Sequence, residues 1–411
     1  MAKIKPFKGY RPLPDMAGTI TSPPYDVMTS DEARDMVRDN PCSFLRVIKP
    51  EIDFTHDNNP KDYPLHEHAS KNLQKFISDG KLIQDKKPCF YIYQIKMGNH
   101  MQTGIMGAVS IEEYNQGLIK KHEFTRPNKE NDRTRHIEIT NANTGPVFLT
   151  YRNYGQFQNN ILEIKKQSPD VSFTADDETS HVLWKVDSVD QLNLLMKYFQ
   201  SISVLYIADG HHRAAAAARV QKIRQDTNHD HTGDEPYNFF LSVIFPHDEM
   251  QILDYNRIVK DLNELTVDQL LESIKSNFFL ITKPSTITPD SPHAYSMFLN
   301  KNWYRLEAKD HIKSNDPVEG LDASILQNHL LNPILGIDDP RTNKRIDFVG
   351  GIRGLKELER RCKLDAAIAF ALNPVSIEEL LAVADADKVM PPKSTWFEPK
   401  LRSGMVVRLL D

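Results

Sequence analysis

The chain has 411 residues, of which 40% are hydrophobic and 26% charged, so it has apolar surface enough for two or three packed domains and no bias toward disorder. Lys plus Arg number 51 against 56 for Asp plus Glu, a formal charge of -5, which argues against a duplex-binding protein and leaves no nucleic-acid partner expected. No run approaches the roughly eighteen apolar residues that cross a bilayer, the start MAKIKPFKGYRPLPD lacks a signal-peptide core, and three distant cysteines form neither a CxxC nor a disulfide framework. A cytoplasmic protein without a membrane partner is expected.

In chain order, proline-punctuated coil containing TSPPYDV leads to a helix with Ser30 as its expected cap. CSFLRVIKPEIDF reads as extended, a polar loop covers 55–64, and an amphipathic helix ends near Gly80. Two strands, CFYIYQIKM and TGIMGAVSI, flank Gly98-Asn99-His100 as a hairpin. From Glu112 the chain is dense in charge, as a working loop or an exposed helix face, and the proline in HEFTRPNKENDR rules out a regular helix interior there. PVFLTYR reads as a strand, DSVDQLNLLMKYFQS as a helix, SVLYIADGHHRAAAAARVQKIRQ as strand, turn and helix, and FFLSVIFP as a strand. Beyond Asp261 helices and strands continue to alternate, with IDFVGG and AAIAFAL extended, before MPPKSTWFEPKLRSG. This alternation predicts a mixed α/β fold in three regions, 1–110, 111–262 and 263–411.

The most informative feature is Asp209-Gly210-His211-His212-Arg213. Val204 to Ile207 favour a strand, Gly210 permits a tight turn, and five alanines from Ala214 favour a helix whose expected cap is Asp209. A helix N-terminus carries roughly half a positive charge and suits acids or bound anions, so two histidines and an arginine there point to a phosphate between them and the turn. Arg213 can fork onto it, and the imidazoles can donate to its oxygens or move a proton. The ordinary alternative is a capped turn with Arg213 in an ion pair.

PPYDV, HEFTRPNKENDR, YIADGHHRAAAAARV, LDYNRIVKDL, LGIDDPRTNKRIDFVGGIRGL and MPPKSTWFEPKLRSG together resemble the family known as domain of unknown function 1015, in order along nearly the whole chain. That family is similar to the ParB/sulfiredoxin superfamily, which includes an ADP-dependent kinase of free serine. The resemblance implies a ParB/sulfiredoxin-like nucleotide-binding core in 111–262, phosphate binding by Asp209 to Arg213, and His122-Glu123 as the kinase's His-Glu pair, with Glu123 the base toward serine. It also implies serine or O-phosphoserine as substrate and an adenine nucleotide as cofactor.

Arg126 and Arg133 would add cations to the transferred group, and magnesium often accompanies such chemistry. A carboxylate beside phosphate needs an intervening cation, so Asp209 is expected to face Mg2+ or the amino group of serine. Lys393, Ser394 and Thr395, fixed by two prolines, are candidate phosphate contacts in a C-terminal clasp with Lys400 and Arg402. Gly350-Gly351 reads as a packing pair or plain turn rather than a second anion site. The readings carried forward are a phosphoryl-transfer enzyme acting on serine or phosphoserine, as kinase or phosphatase, and a nucleotide-binding regulator or scaffold without turnover.

Overall fold

The computed structural model describes residues 2–54, 63–153, 155 and 158–411, without the side chains of Tyr63 and Gln158; most of the polar loop expected at 55–64 lies outside them. The fold is mixed α/β, and it divides into two compact units, Met1–Met250 with Pro399–Asp411, and Gln251–Glu398.

The first unit is built on a nine-stranded mixed sheet. Its strands are β1 (Ile4–Lys5), β2 (Phe90–Met97), β3 (His100–Ser110), β4 (Ile119–Lys120), β5 (Val147–Tyr151), β6 (Val171–Thr174), β7 (Ser180–Val186), β8 (Leu205–Asp209) and β9 (Phe239–Pro246). The spatial order is β4-β8-β5-β9-β3-β2-β7-β6, with β1 paired to the end of β3. The expected hairpin joins β2 and β3, with Met97 opposite His100 and Gly98 at φ +57°, where a side chain would be strained. Strand β9 lies between β5 and β3, and all eight of its residues are buried, so both faces of the sheet are covered there, which is why FFLSVIFP reads as a continuous apolar run.

The helices of this unit used below are α1 (Ser30–Val37), α2 (Tyr63–Ser78), α3 (Pro127–Thr140), α4 (Val189–Gln200) and α5 (His211–Thr227). Thr29, not Ser30, caps α1, exchanging bonds with Glu32 in a capping box. Of the two readings of HEFTRPNKENDR, loop or exposed helix face, the structure takes the helix from Pro127 onward. Pro127 occupies the first turn of α3, where a missing N–H costs nothing, and Asp132 and Arg133 are helical. Ala214, Ala216 and Ala217 bury against the sheet core with Val220, small side chains that let α5 lie close to its neighbours.

The second unit carries a six-stranded antiparallel sheet of β11 (Tyr255–Val259), β12 (Phe278–Thr282), β13 (Ala294–Leu299), β14 (Asn302–Ala308), β15 (Ile346–Gly350) and β16 (Ile368–Leu372), in the order β12-β14-β13-β16-β11-β15. Its first and last strands, β10 (Gln251–Leu253) and β17 (Trp396–Glu398), pair with each other. Gly350 is a packing glycine, since a Cβ there would lie 2.6 Å from the Trp396 ring. The three consecutive regions expected from sequence are not the units observed. Strands β2 and β3, inside 1–110, pair with β7 and β9 at the centre of the large sheet, and 251–262 belongs with the C-terminal strands. Among the described residues no helix is long and apolar enough to cross a membrane.

Candidate functional site

Strands β4 and β8 run parallel, with Leu205 opposite Ile119 and Tyr206 opposite Lys120, so their carboxyl ends open on the same side. The carboxyl ends of parallel strands are where α/β sheets take ligands. The loop after β4 brings His122 and Glu123, and the turn after β8 brings Gly210 and the start of α5. Strand β5 runs antiparallel to β8, so the residues before it, Thr144 to Pro146, arrive at the same end.

The expected strand, turn and helix are present, with the cap assigned differently. Gly210, at φ +94° and ψ +28°, is the N-cap of α5, and no side chain caps the helix. Asp209 instead accepts from the Gly210 N–H at 2.8 Å through Oδ1 and from the Lys400 ammonium at 2.9 Å through Oδ2. Burial alone would raise the Asp209 carboxyl, but Lys400 and the Gly210 N–H outweigh it and hold the group below the ordinary carboxylate range. The α5 start is thus an uncapped positive dipole end with a neighbouring carboxylate already neutralised.

Two histidines pack beneath the turn. His122 is 2% exposed, and its ring meets that of His211 edge-on at 4.6 Å. His211 Nε2 accepts from the His122 backbone N–H at 3.5 Å, whereas neither ring nitrogen of His122 has a hydrogen-bond partner among the described residues. Burial lowers the His122 pKa to about 4 against the pull of Asp209, and burial with the neighbouring His122 holds His211 well below the ordinary histidine value. His212 is half-buried and its Nε2 accepts from the Arg126 N–H at 2.9 Å, which ties the α5 start to the residue before α3. Burial also lowers His212, with Asp26 opposing and Arg126 reinforcing.

Arg213 and Arg133 are largely committed to the fold. The Arg213 guanidinium donates to the Pro146 carbonyl at 3.1 Å and to Ser403 Oγ at 3.4 Å, and lies 5.6 Å from the Tyr25 ring centroid. Arg133 stacks on the same ring at 4.2 Å, donates to Asp132 at 2.7 and 2.9 Å, and reaches the Ile48 carbonyl at 3.4 Å. Tyr25 is therefore shared between two guanidinium groups. Gly145 makes room for this, because a Cβ there would stand 2.1 Å from Arg213 Nη1. Arg126 is exposed and its side chain has no hydrogen bond among the described residues, which leaves its charge available.

The expected clasp divides between the two units. Lys400, Arg402 and Ser403 belong to the first and meet Asp209, Asp177 and Arg213 respectively. Lys393, Ser394 and Thr395 belong to the second, where Lys393 lies 5.3 Å from the Tyr255 ring centroid and Ser394 Oγ donates to the Pro391 carbonyl at 2.7 Å. Glu123, expected to act as a base, is half-buried beside His122. Gly145 and Ser403 were not singled out individually from sequence, whereas Tyr25 with Asp26 reads there as a fixed loop lining a cleft. The signal for Tyr25 was the rigid PPYD loop, and for Gly145 only the Gly-Pro pair before a strand.

The residues present fit an anion: the uncapped start of α5, the exposed Arg126, and His212 and Lys400 beside it. They do not by themselves make a magnesium site. Among the described residues no group of three or more His, Cys, Asp or Glu side chains is placed to hold a metal, and Asp209 already holds Lys400.

No curated protein matches the chain. Among solved structures, a free serine kinase in complex with AMP shares 13% identity at a TM-score of 0.35, covering 72% of this chain and 86% of its own. A conserved hypothetical protein from Pyrococcus furiosus shares 15% at 0.36, covering 74% and 95%. SbnI with a C-terminal truncation, from Staphylococcus aureus, shares 12% at 0.39, covering 74% and 87%. The family model for a protein of unknown function, DUF1015, matches residues 4–324, and the chain belongs to that family.

Proposed function

We propose that the chain binds the phosphate of an adenine nucleotide or of O-phosphoserine at the start of α5 and transfers a phosphoryl group to or from serine. The observation that carries the reading is the uncapped helix start at Gly210 with Arg126, His212, Arg213 and Lys400 gathered around it. Serine, the nucleotide and a ParB/sulfiredoxin-like ancestry come from the sequence resemblance.

In this reading the N–H groups of the first turn and the Arg126 side chain receive the phosphate, and Lys400 moves from Asp209 toward it. Asp209, released, takes the amino group of serine. In the kinase direction the serine oxygen bonds to phosphorus as the bridging bond to the nucleotide breaks, and Glu123 accepts the hydroxyl proton. In the opposite direction water takes the phosphoryl group from phosphoserine. Magnesium would enter on the nucleotide phosphates rather than through Asp209.

Phosphorus NMR of the purified chain with serine plus ADP or ATP, and with phosphoserine alone, each with and without magnesium, tests this. New phosphoserine or free phosphate that disappears in Glu123→Gln supports the proposal. A chain that turns over none of these mixtures is not the enzyme proposed. The second reading, a nucleotide-binding regulator or scaffold, draws support from the commitment of Arg133 and Arg213 to structural contacts; calorimetric binding of nucleotide without turnover would select it.

A further inference from the structure

The segment LDYNRIVKDL places Arg257 on β11, on the face it shares with its register partners Phe348 and Phe370. Arg257 is 3% exposed. Its guanidinium donates to the Tyr255 carbonyl through Nη1 and lies 5.6 Å from the Phe348 ring centroid, and among the described residues it has no carboxylate within salt-bridge reach. A guanidinium offers five N–H donors and stays charged in proteins, so burial with one acceptor leaves most of its hydrogen-bonding capacity unused. The other deeply buried arginines are better met. Arg133 holds Asp132, Arg402 holds Asp177, and Arg408 donates to the carbonyls of Phe239 and Pro236 at 2.9 and 2.6 Å.

The acid whose field reaches Arg257 is engaged elsewhere. Asp322, which opens α6 (Asp322–Leu326), accepts from the His293 N–H at 2.7 Å and faces His293 Nδ1 at 3.2 Å. Tyr295, on the same sheet face as Arg257, donates its hydroxyl to the Asp322 carbonyl at 3.1 Å. On α6 the Ser324 hydroxyl is buried, with the residue 3% exposed, and has no partner among the described residues. A cation with no carboxylate in salt-bridge contact and a hydroxyl without a partner among the described residues thus occur in one unit.

We propose that Arg257 anchors a second ligand site, within the 251–398 unit, for a small organic monocarboxylate whose two oxygens take the guanidinium fork. One cation with the Asp322 charge nearby suits a single negative charge rather than a phosphate dianion, and the rings of Phe348, Phe370 and Tyr255 suit a short apolar remainder. This assignment is independent of the function proposed for the α5 start.

The test is thermal melting and NMR titration of the full chain with propionate, benzoate and inorganic phosphate at ionic strength held constant with sodium chloride. Propionate or benzoate is expected to raise the melting temperature saturably, to act equally on Arg126→Ala, and to have no effect on Arg257→Met. If Arg257→Met does not fold, Arg257→Lys, which keeps the charge and loses the fork, is expected to bind at least tenfold more weakly. Absence of a saturable shift in the unmodified chain, persistence of the shift in Arg257→Met, unchanged affinity in Arg257→Lys, or a response to phosphate alone would each overturn the proposal.

Discussion

The Lys400 ammonium stands 2.9 Å from the Asp209 carboxylate across 191 residues of chain, and this pair sets the charge at the start of α5. Asp209 is held below the ordinary carboxylate range only because Lys400 and the Gly210 N–H overcome its burial. A depressed acid contributes stability that is present above its unfolded pKa, about 4, and lost as pH falls through the folded value. Lys400→Met leaves a half-buried carboxylate without its cation, so its pKa rises and the ionised form becomes less favourable. The melting temperature of the variant is expected to fall below that of the parent at pH 7, with the gap narrowing as pH falls below about 4 toward about 2, where the parent's Asp209 also takes up its proton. Melts from pH 7 to pH 3 check this; a gap independent of pH would assign Lys400 a packing role only.

Arg213 and Arg126 should separate structure from binding. Arg213 bonds to the Pro146 carbonyl and Ser403 Oγ and stacks near Tyr25, so Arg213→Ala is expected to cost roughly 2 kcal/mol of stability in urea unfolding. The exposed Arg126 has no such duties, and Arg126→Ala should unfold with the parent while binding nucleotide or phosphoserine at least tenfold more weakly by calorimetry. Equal affinity in Arg126→Ala would remove that residue from the site.

Gly145→Ala tests the same packing from the other side. The added methyl would meet Arg213 Nη1 at 2.1 Å and Ser403 Oγ at 2.8 Å, both ends of side chains that can swing away. The fold should survive at a cost of about 1–3 kcal/mol, with Arg213 displaced from Pro146. A double variant with Arg213→Ala should lose less than the sum of the two single losses, because the clash disappears with the guanidinium.

Burial holds His122 at a pKa of about 4 and both His136 and His181 at about 3. An unfolded histidine takes up a proton below about pH 6.5, so between that value and the folded pKa values the unfolded chain binds more protons and stability falls as pH falls. Urea midpoints are expected to drop steadily from pH 7 to pH 5. Replacing His122 with Leu should reduce the pH slope near pH 5 by about one proton, and an unchanged slope would mean that His122 is charged in the native state.

Much of the local structure was legible. The apolar run into Gly210 and the alanines after it specify a strand, a left-handed turn and a helix through preferences acting over a few residues, and Gly98 specifies its hairpin in the same way. HEFTRPNKENDR reads as either a loop or an exposed helix face because a proline both excludes a helix interior and favours a helix start, and which applies depends on where the helix begins.

The sequence by itself determined the mixed α/β class, the strand-turn-helix at 205–227 and the cationic character of that turn, because each follows from propensity and charge within a short stretch. Tertiary structure alone decided that Gly210 caps the helix while Asp209 turns to Lys400, that Arg213 and Arg133 share Tyr25, and that Lys393 to Thr395 fall in a different unit from Lys400. A buried charge takes whichever counter-charge the chain path brings within about 4 Å, and that path is set by the pairing of distant strands rather than by the residues beside the charge.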